Sequence, residues 1–69
     1  MIYKVEISTS FTPDDLMQLQ LLGCEDRPYF STELRVLFQA EIVDPEQVNA
    51  LRRLPCVQRV EPMPIIGYS

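Results

Sequence analysis

The sequence predicts an α+β domain in which one antiparallel sheet carries two helices on one of its faces. Alternating apolar residues mark strands near both ends and in the middle of the chain. Two stretches with helix start signals lie between them. The resulting order, βαββαβ, is that of the ferredoxin-like sandwich. Right-handed crossovers then place both helices on the same face of a four-stranded sheet.

The first strand is predicted over residues 2–8, and a helix follows it. The apolar side chains on one face of the strand are Tyr3, Val5 and Ile7. Thr12 can cap a helix and Pro13 suits the first helical position, while Gly23 is a typical stop. The sequence therefore predicts a helix over residues 13–22. Its apolar stripe consists of Leu16, Met17, Leu19 and Leu22.

Two strands are predicted in the middle of the chain. Residues 29–32 are β-prone but few, and we expect them to pair as an edge strand with a longer strand over residues 34–42. The face of the longer strand predicted to be buried carries Leu34, Val36, Phe38, Ala40 and Ile42. The outward face carries Arg35, Leu37, Gln39 and Glu41.

A second helix and a last strand are predicted in the final third. The helix starts at Asp44 and Pro45, and Gln47 stands where a capping box requires it. Its buried stripe consists of Val48, Leu51 and Leu54. Pro55 ends the helix, and residues 57–61 form the last strand.

Composition limits the classes of partner. At 69 residues the chain is expected to form a single domain, over residues 1–62, followed by a C-terminal tail, residues 63–69. The net charge is −4 with only six Lys and Arg, so nucleic acid is a poor partner. We find neither an apolar run that would span a membrane nor a signal peptide pattern, and therefore expect a cytoplasmic protein that does not bind membranes.

The residues that usually carry chemistry are scarce. The chain has no His, and Cys24 and Cys56 lack metal-ligand spacing, so neither a metal nor another cofactor is expected. We expect both cysteines to be small buried residues rather than a disulfide or reactive thiols. Neither Gly23 nor Gly67 lies in a phosphate-binding loop.

Paired carboxylates occur at two places, and their position explains them without catalysis. The pairs are Asp14 with Asp15 and Asp44 with Glu46. Each pair lies at a predicted helix start, where the helix dipole favours negative charge. This structural interpretation is preferred over acid–base chemistry. The chain is therefore not expected to be an enzyme.

The outward face of the sheet is not suited to RNA. Its predicted residues are Lys4, Glu6, Leu37, Gln39 and Arg59, a mixed set without aromatic side chains. Leu37 is expected to be a lone exposed apolar residue. Such a residue needs no special explanation, although it can also mark a dimer seam.

The segment over residues 38–61 has a recognisable pattern. A strand ends in Ala-x-Ile, a capped helix follows, and the last stretch reads Leu54-Pro55-x-Val57-x-x-Val60-Glu61. This pattern resembles the second half of the subtilisin propeptide family of peptidase inhibitors. The resemblance covers about a third of the chain; residues 9–37 match only in element order.

The resemblance implies a mechanism. Family members lay the open sheet face on a subtilisin-like protease, and their tail runs through the active-site cleft as a substrate-like strand. Here the tail would place Ile66, Gly67, Tyr68 and Ser69 in the substrate subsites. Glu61 matches an acid that caps helix N-termini of the protease; Met63 stands where a second acid is often found. The expected protein-binding residues are thus Glu61, Met63, Ile65, Ile66, Gly67, Tyr68, Ser69 and, at a dimer seam, Leu37.

Other interpretations remain open for the same residues. Residues 63–66 can instead cover an edge of the sheet, and Glu61 can be a solvated strand residue. The function predicted first is a free-standing inhibitor or chaperone of a subtilisin-like protease. The alternatives are a small ACT-like regulatory or adaptor domain working as a homodimer, or an accessory or viral factor that binds a host protein.

Overall fold

The computed structural model describes residues 1–63 and has the predicted ferredoxin-like architecture. The elements are β1 (Ile2–Ile7), α1 (Pro13–Leu21), β2 (Phe30–Ser31), β3 (Val36–Glu41), α2 (Pro45–Arg53) and β4 (Val57–Pro62). The strands of this part of the chain form one antiparallel sheet in the order β2-β3-β1-β4. The central pair, β1 and β3, therefore lies between the short β2 and the longer β4.

Helix α1 begins where the sequence predicts. The backbone N–H of Asp15 donates to Thr12 Oγ1 over 3.2 Å, and the N–H of Thr12 donates to Asp15 Oδ2 over 2.9 Å. These reciprocal bonds satisfy amides at the start of the helix that lack an intrahelical partner. Pro13 occupies the first turn, where a missing N–H costs little.

Helix α2 begins in the same way and is also tied to α1. Asp44 Oδ1 accepts the N–H of Glu46 at 3.0 Å, and Gln47 Oε1 accepts the N–H of Asp44 at 3.0 Å. The amide nitrogen of the same side chain, Gln47 Nε2, donates to the carbonyl of Leu22 over 3.2 Å. The capping residue thus also joins the start of α2 to the end of α1.

Gly23 makes the turn that leads from α1 back to the sheet. Its φ is +102°, and a Cβ added there would lie 2.8 Å from the carbonyl oxygen of Glu41. The Gly23 carbonyl in turn accepts the N–H of Glu41 at 3.2 Å. The left-handed backbone and the close approach both require glycine at this position.

The core lies between the sheet and the two helices. Its largest fully buried side chains are Phe38, Ile7, Leu19, Leu51 and Val5. One apolar cluster contains residues of α1, of α2 and of the inner strands, which places both helices on the same face. The ring of Phe11 meets the ring of Phe38 edge-on, with centroids 6.1 Å apart.

Two predicted core residues are exposed. Leu34 is 87% exposed, and β3 begins at Val36, because residues 32–35 form a turn. Thr32 Oγ1 accepts the N–H groups of Leu34 and Arg35 there, which is a local bond that competes with strand pairing. Met17, predicted in the buried stripe of α1, is 58% exposed; the buried side of α1 is formed by Leu16, Leu19 and Leu22.

Candidate functional site

The sheet face opposite the helices is the candidate site, and we call it the open face. Cross-strand pairing places Glu6 beside Leu37 and Arg59, and Lys4 beside Gln39 and Glu61. Directly paired residues of an antiparallel sheet share a face. The outward residues predicted from the sequence, Lys4, Glu6, Leu37, Gln39 and Arg59, are thereby confirmed to lie together, and Glu61 joins them.

The prediction that Leu37 is exposed is wrong. Leu37 is only 6% exposed, although it lies on the open face. Its cross-strand neighbours are Glu6 on β1 and Phe30 on β2, and paired side chains lie close enough to cover one another. Leu37 therefore does not offer an exposed dimer seam. The exposed apolar side chains of the open face are instead Phe30, which is 44% exposed, and Ile2, which is 38% exposed and pairs with Glu41.

An ion pair with two hydrogen bonds lies on the open face, between the end of β1 and the residue that precedes β3. Arg35 Nε donates to Glu6 Oε2 over 3.3 Å, and Arg35 Nη2 donates to Glu6 Oε1 over 3.2 Å. This two-point geometry is the favourable one for arginine and carboxylate. The hydrogen bonds from Arg35 lower the pKa of Glu6 below its ordinary value of 4.5. Both groups are thus charged at neutral pH.

Glu61 takes part in longer and weaker ion pairs. Its Oε1 lies 3.6 Å from Lys4 Nζ and 3.9 Å from Arg59 Nη1, and its side chain is 46% exposed. Exposed pairs of this kind contribute little to stability. The carboxylate of Glu61 is therefore accessible to a partner's donors, as the resemblance implies, although a solvated strand residue would have the same geometry.

A polar concavity of about 450 Å³ lies on the open face, lined by Glu6, Arg35, Gln58 and Arg59. Gln58 borders it because the pairing of β1 with β4 shifts register between Glu6 and Ile7, which makes Gln58 the extra residue of a β-bulge. The lining supplies charged groups and an amide. Such groups can recognise polar side chains of a protein.

The last described residue is still attached to the sheet. Met63 is half-buried, and its N–H donates to the carbonyl of Ile2 over 3.0 Å, one residue beyond the end of β4. Pairing with β1 thus extends into the predicted tail. The other predicted tail residues, Ile65, Ile66, Gly67, Tyr68 and Ser69, lie outside the described residues.

The residues considered for other chemistry have structural positions. Asp15 completes the capping box of α1, and Asp44 is the N-cap of α2. Cys24 and Cys56 are free and buried, and burial raises the pKa of the Cys24 thiol to about 11. Within residues 1–63, no group of three or more His, Cys, Asp and Glu side chains is placed to hold a metal ion. No helix in this range has the length and apolar character needed to cross a membrane.

Two arginines have roles that the sequence interpretation missed. Arg35 was assigned only to an outward position, and Arg52 was not assigned to the sheet at all. The ion pair of Arg35 with Glu6 could have been predicted from the alternation of side chains along the two strands, but only with the register between β1 and β3 known. Arg52 donates from α2 to the backbone of β4; a bond from a helix side chain to a strand carbonyl leaves no signal in residue periodicity.

Comparison with protein-family models, with curated proteins and with solved structures found no match to this chain. Function is therefore inferred from the open face, from the position of Met63 after β4 and from the resemblance of residues 38–61.

Proposed function

We propose that this chain is a non-enzymatic protein-binding module that docks on its partner through the open face and the segment that follows β4. The partner proposed is a subtilisin-like serine protease, which the module would inhibit or assist in folding. Two features support this function: the geometry of the sheet, and the resemblance of residues 38–61 to the subtilisin propeptide family.

One observation carries the proposal. Strand β4 lies at the edge of the sheet and remains paired with β1 up to the last described residue, Met63. The segment that follows in the sequence, residues 64–69, therefore starts at the rim of the open face. A partner bound to that face would lie within reach of this segment, which could then pair as an added strand in the partner's cleft.

The charges of the open face suit a protein partner. Glu61 is half-exposed and its ion pairs are long, so a helix N-terminus of the partner could replace them at little cost. The exposed apolar side chains of this face are separated, with Ile2 on the central strand β1 and Phe30 at the opposite edge, on β2. A mixed surface of this kind is typical of non-obligate protein interfaces.

A titration of proteolytic activity tests the proposal. The full chain should inhibit a subtilisin-like protease at equimolar ratio, and deletion of Ile66–Ser69 should abolish inhibition because the substrate-like strand is lost. Glu61→Gln should weaken binding severalfold, while Glu33→Gln, which changes an exposed acid of the β2–β3 turn, should not. If the full chain neither inhibits nor binds any of several subtilisin-like proteases, the protease proposal is wrong.

A homodimeric regulatory domain of the ACT-like kind is the second candidate. The observation in its favour is that the open face carries both signs of charge, Lys4, Arg35 and Arg59 against Glu6 and Glu61, so two copies can be complementary. Sedimentation equilibrium distinguishes the two functions. A dimer that persists after deletion of Ile66–Ser69, without protease inhibition, would favour this candidate.

A further inference from the structure

The outer edge of β4 is a second surface, distinct from the open face. Hydrogen-bonded and non-hydrogen-bonded residue pairs alternate along an antiparallel ladder. Because Met63 donates a hydrogen bond to Ile2, these two residues form a hydrogen-bonded pair. Three positions along, Val60 and Val5 therefore form a non-hydrogen-bonded pair. The N–H and C=O of Val60 therefore point away from β1, toward the edge where a further strand could pair.

This edge is protected at two positions. Arg52 Nη2, from the last turn of α2, donates to the carbonyl of Val60 over 3.3 Å. Pro62, two residues on and on the same side of the strand, has no N–H to offer. Natural sheets use devices of this kind to prevent unwanted pairing at an edge. The proline is permanent, whereas the arginine is a side chain that can move.

A concavity lies along the same edge and is positively charged. It measures about 300 Å³ and is lined by Arg52, Val57, Gln58, Arg59 and Val60. Its lining contains two arginines and, among the described residues, no acid. Gln58 and Arg59 also line the concavity of the open face, so the two concavities lie on either side of β4.

Cations line this edge. Arg52 and Arg59 are two of the six Lys and Arg residues in a chain of net charge −4. In the described part of the chain, the ion pair of Arg59 is a long one, with Nη1 3.9 Å from Glu61 Oε1. The edge is therefore a local basic region on an acidic protein, and it favours a negatively charged partner.

We propose that the outer edge of β4 accepts an extended acidic segment of a partner protein as an additional strand, and that Arg52 acts as a latch. In the free protein Arg52 covers the Val60 carbonyl. When the segment arrives, Arg52 turns to a carboxylate of that segment, since charge-assisted hydrogen bonds are stronger than those to a neutral carbonyl. The carbonyl of Val60 is then free to accept an N–H of the added strand.

The geometry specifies where the acids of the segment must lie. Side chains of an added strand alternate between the helix side, where Arg52 lies, and the open face, where Arg59 lies. Two acids at neighbouring positions would therefore meet one arginine each. A neutral segment would displace Arg52 without replacing its bond, so the latch selects for acidic sequences.

Fluorescence anisotropy with designed peptides tests the proposal. The probes are short peptides of alternating threonine and valine with either two adjacent glutamates or two adjacent glutamines at the centre. The glutamate peptide should bind more tightly. The ratio of the two affinities, which we call the glutamate advantage, should fall about three- to fivefold in Arg52→Ala and in Arg59→Ala. A change of this size corresponds to the loss of one exposed charge pair.

The matched control is Arg27→Ala, which removes the same charge from an exposed position on the β2 side of the sheet. It should leave the glutamate advantage unchanged. Slower hydrogen exchange of the Val60 amide on addition of the glutamate peptide would support strand addition. Deletion of Ile66–Ser69 should have no effect on this binding, which separates the proposal from the protease-inhibitor function.

Three results would overturn the proposal. The glutamate peptide could fail to bind; Arg27→Ala could reduce its advantage as much as the other variants, which would show only general charge attraction; or Arg52→Ala and Arg59→Ala could leave the advantage intact. Concentration-dependent protection of the Val60 amide without peptide would identify a second copy of this chain as the occupant instead.

Discussion

The two faces of the sheet differ in what they contribute. On the helix face, Val5, Ile7 and Phe38 are almost fully buried against α1 and α2. On the open face, side chains of opposite charge are paired across distances of 3.2–3.9 Å. Burial of apolar area is the dominant stabilising term, and exposed ion pairs are worth little. The helix face therefore holds the fold, while the open face can change with function at small cost in stability.

The largest expected effect is that of Phe38→Ala on the helix face. Phe38 is 0% exposed and contacts Phe11 edge-on. Removing a buried ring leaves a cavity and should lower the free energy of unfolding by about 3–5 kcal/mol. A domain of this size has a small stability margin, so the variant should be largely unfolded by circular dichroism. A loss below about 1 kcal/mol would contradict the assigned core.

Leu37→Ala tests the one residue of the open face that is described above as buried. Leu37 is on the open face but 6% exposed, so truncation should cost about 2–3 kcal/mol in urea denaturation, toward the low end for a buried leucine. The control is Leu34→Ala, because Leu34 is 87% exposed and should change stability by less than about 0.5 kcal/mol. Equal effects of the two variants would show that Leu37 is not covered in solution.

Asp44→Ala tests the contribution of the N-cap of α2, one of the two helices packed on the helix face. The Asp44 side chain accepts the N–H of Glu46 at 3.0 Å, and loss of such a cap should cost about 1 kcal/mol. Asp44→Asn keeps the acceptor and serves as the matched control, with most of the stability retained. Thermal unfolding measures both. An alanine variant as stable as the asparagine variant would argue against the cap.

The smallest expected effect is that of Glu6→Gln on the open face, and it depends on pH. The folded-state pKa of Glu6 lies below its ordinary value of 4.5 because of Arg35. The ionised carboxylate thus contributes stability above the unfolded pKa, and this contribution is lost as pH falls through the folded pKa. Wild type should exceed Glu6→Gln in stability at pH 7, and the difference should shrink as pH falls below about 4.5 and vanish below the folded-state pKa of Glu6.

Urea denaturation from pH 7 to pH 3 measures this difference. Glu33→Gln is the control, since Glu33 lies in the exposed turn before β3. A difference between wild type and Glu6→Gln that stays constant with pH would show that the Arg35 ion pair does not form in solution.

The fold could be predicted from local signals because those signals and the packing agree. Both helix starts carry a cap and a proline, and the structure has both capping boxes. Where a local bond competed with periodicity, prediction failed. The alternation that includes Leu34 favours a strand, but Thr32 bonds to the amides that follow it and holds a turn. Strand β3 therefore begins two residues later than predicted.

The candidate site was less predictable because it depends on neighbours from distant parts of the chain. The alternation of side chains along β3 was sufficient to place Leu37 on the outward face. Its burial depends on Glu6 and Phe30, which lie beside it because of the register between the strands. The bond from Arg52 to Val60 likewise depends on how α2 lies against β4. Sequence reasoning could identify the face, but not which of its residues are accessible.

The most direct measurement of the central claim is an NMR titration of the labelled chain with a catalytically inactive subtilisin-like protease. If the open face binds, the amide signals of Lys4, Gln39 and Glu61 should shift or broaden at equimolar protease. The signals of Gln18 and Asn49, exposed on α1 and α2, should stay in place. Changes confined to the two helices, with the three strand signals unaffected, would contradict the account.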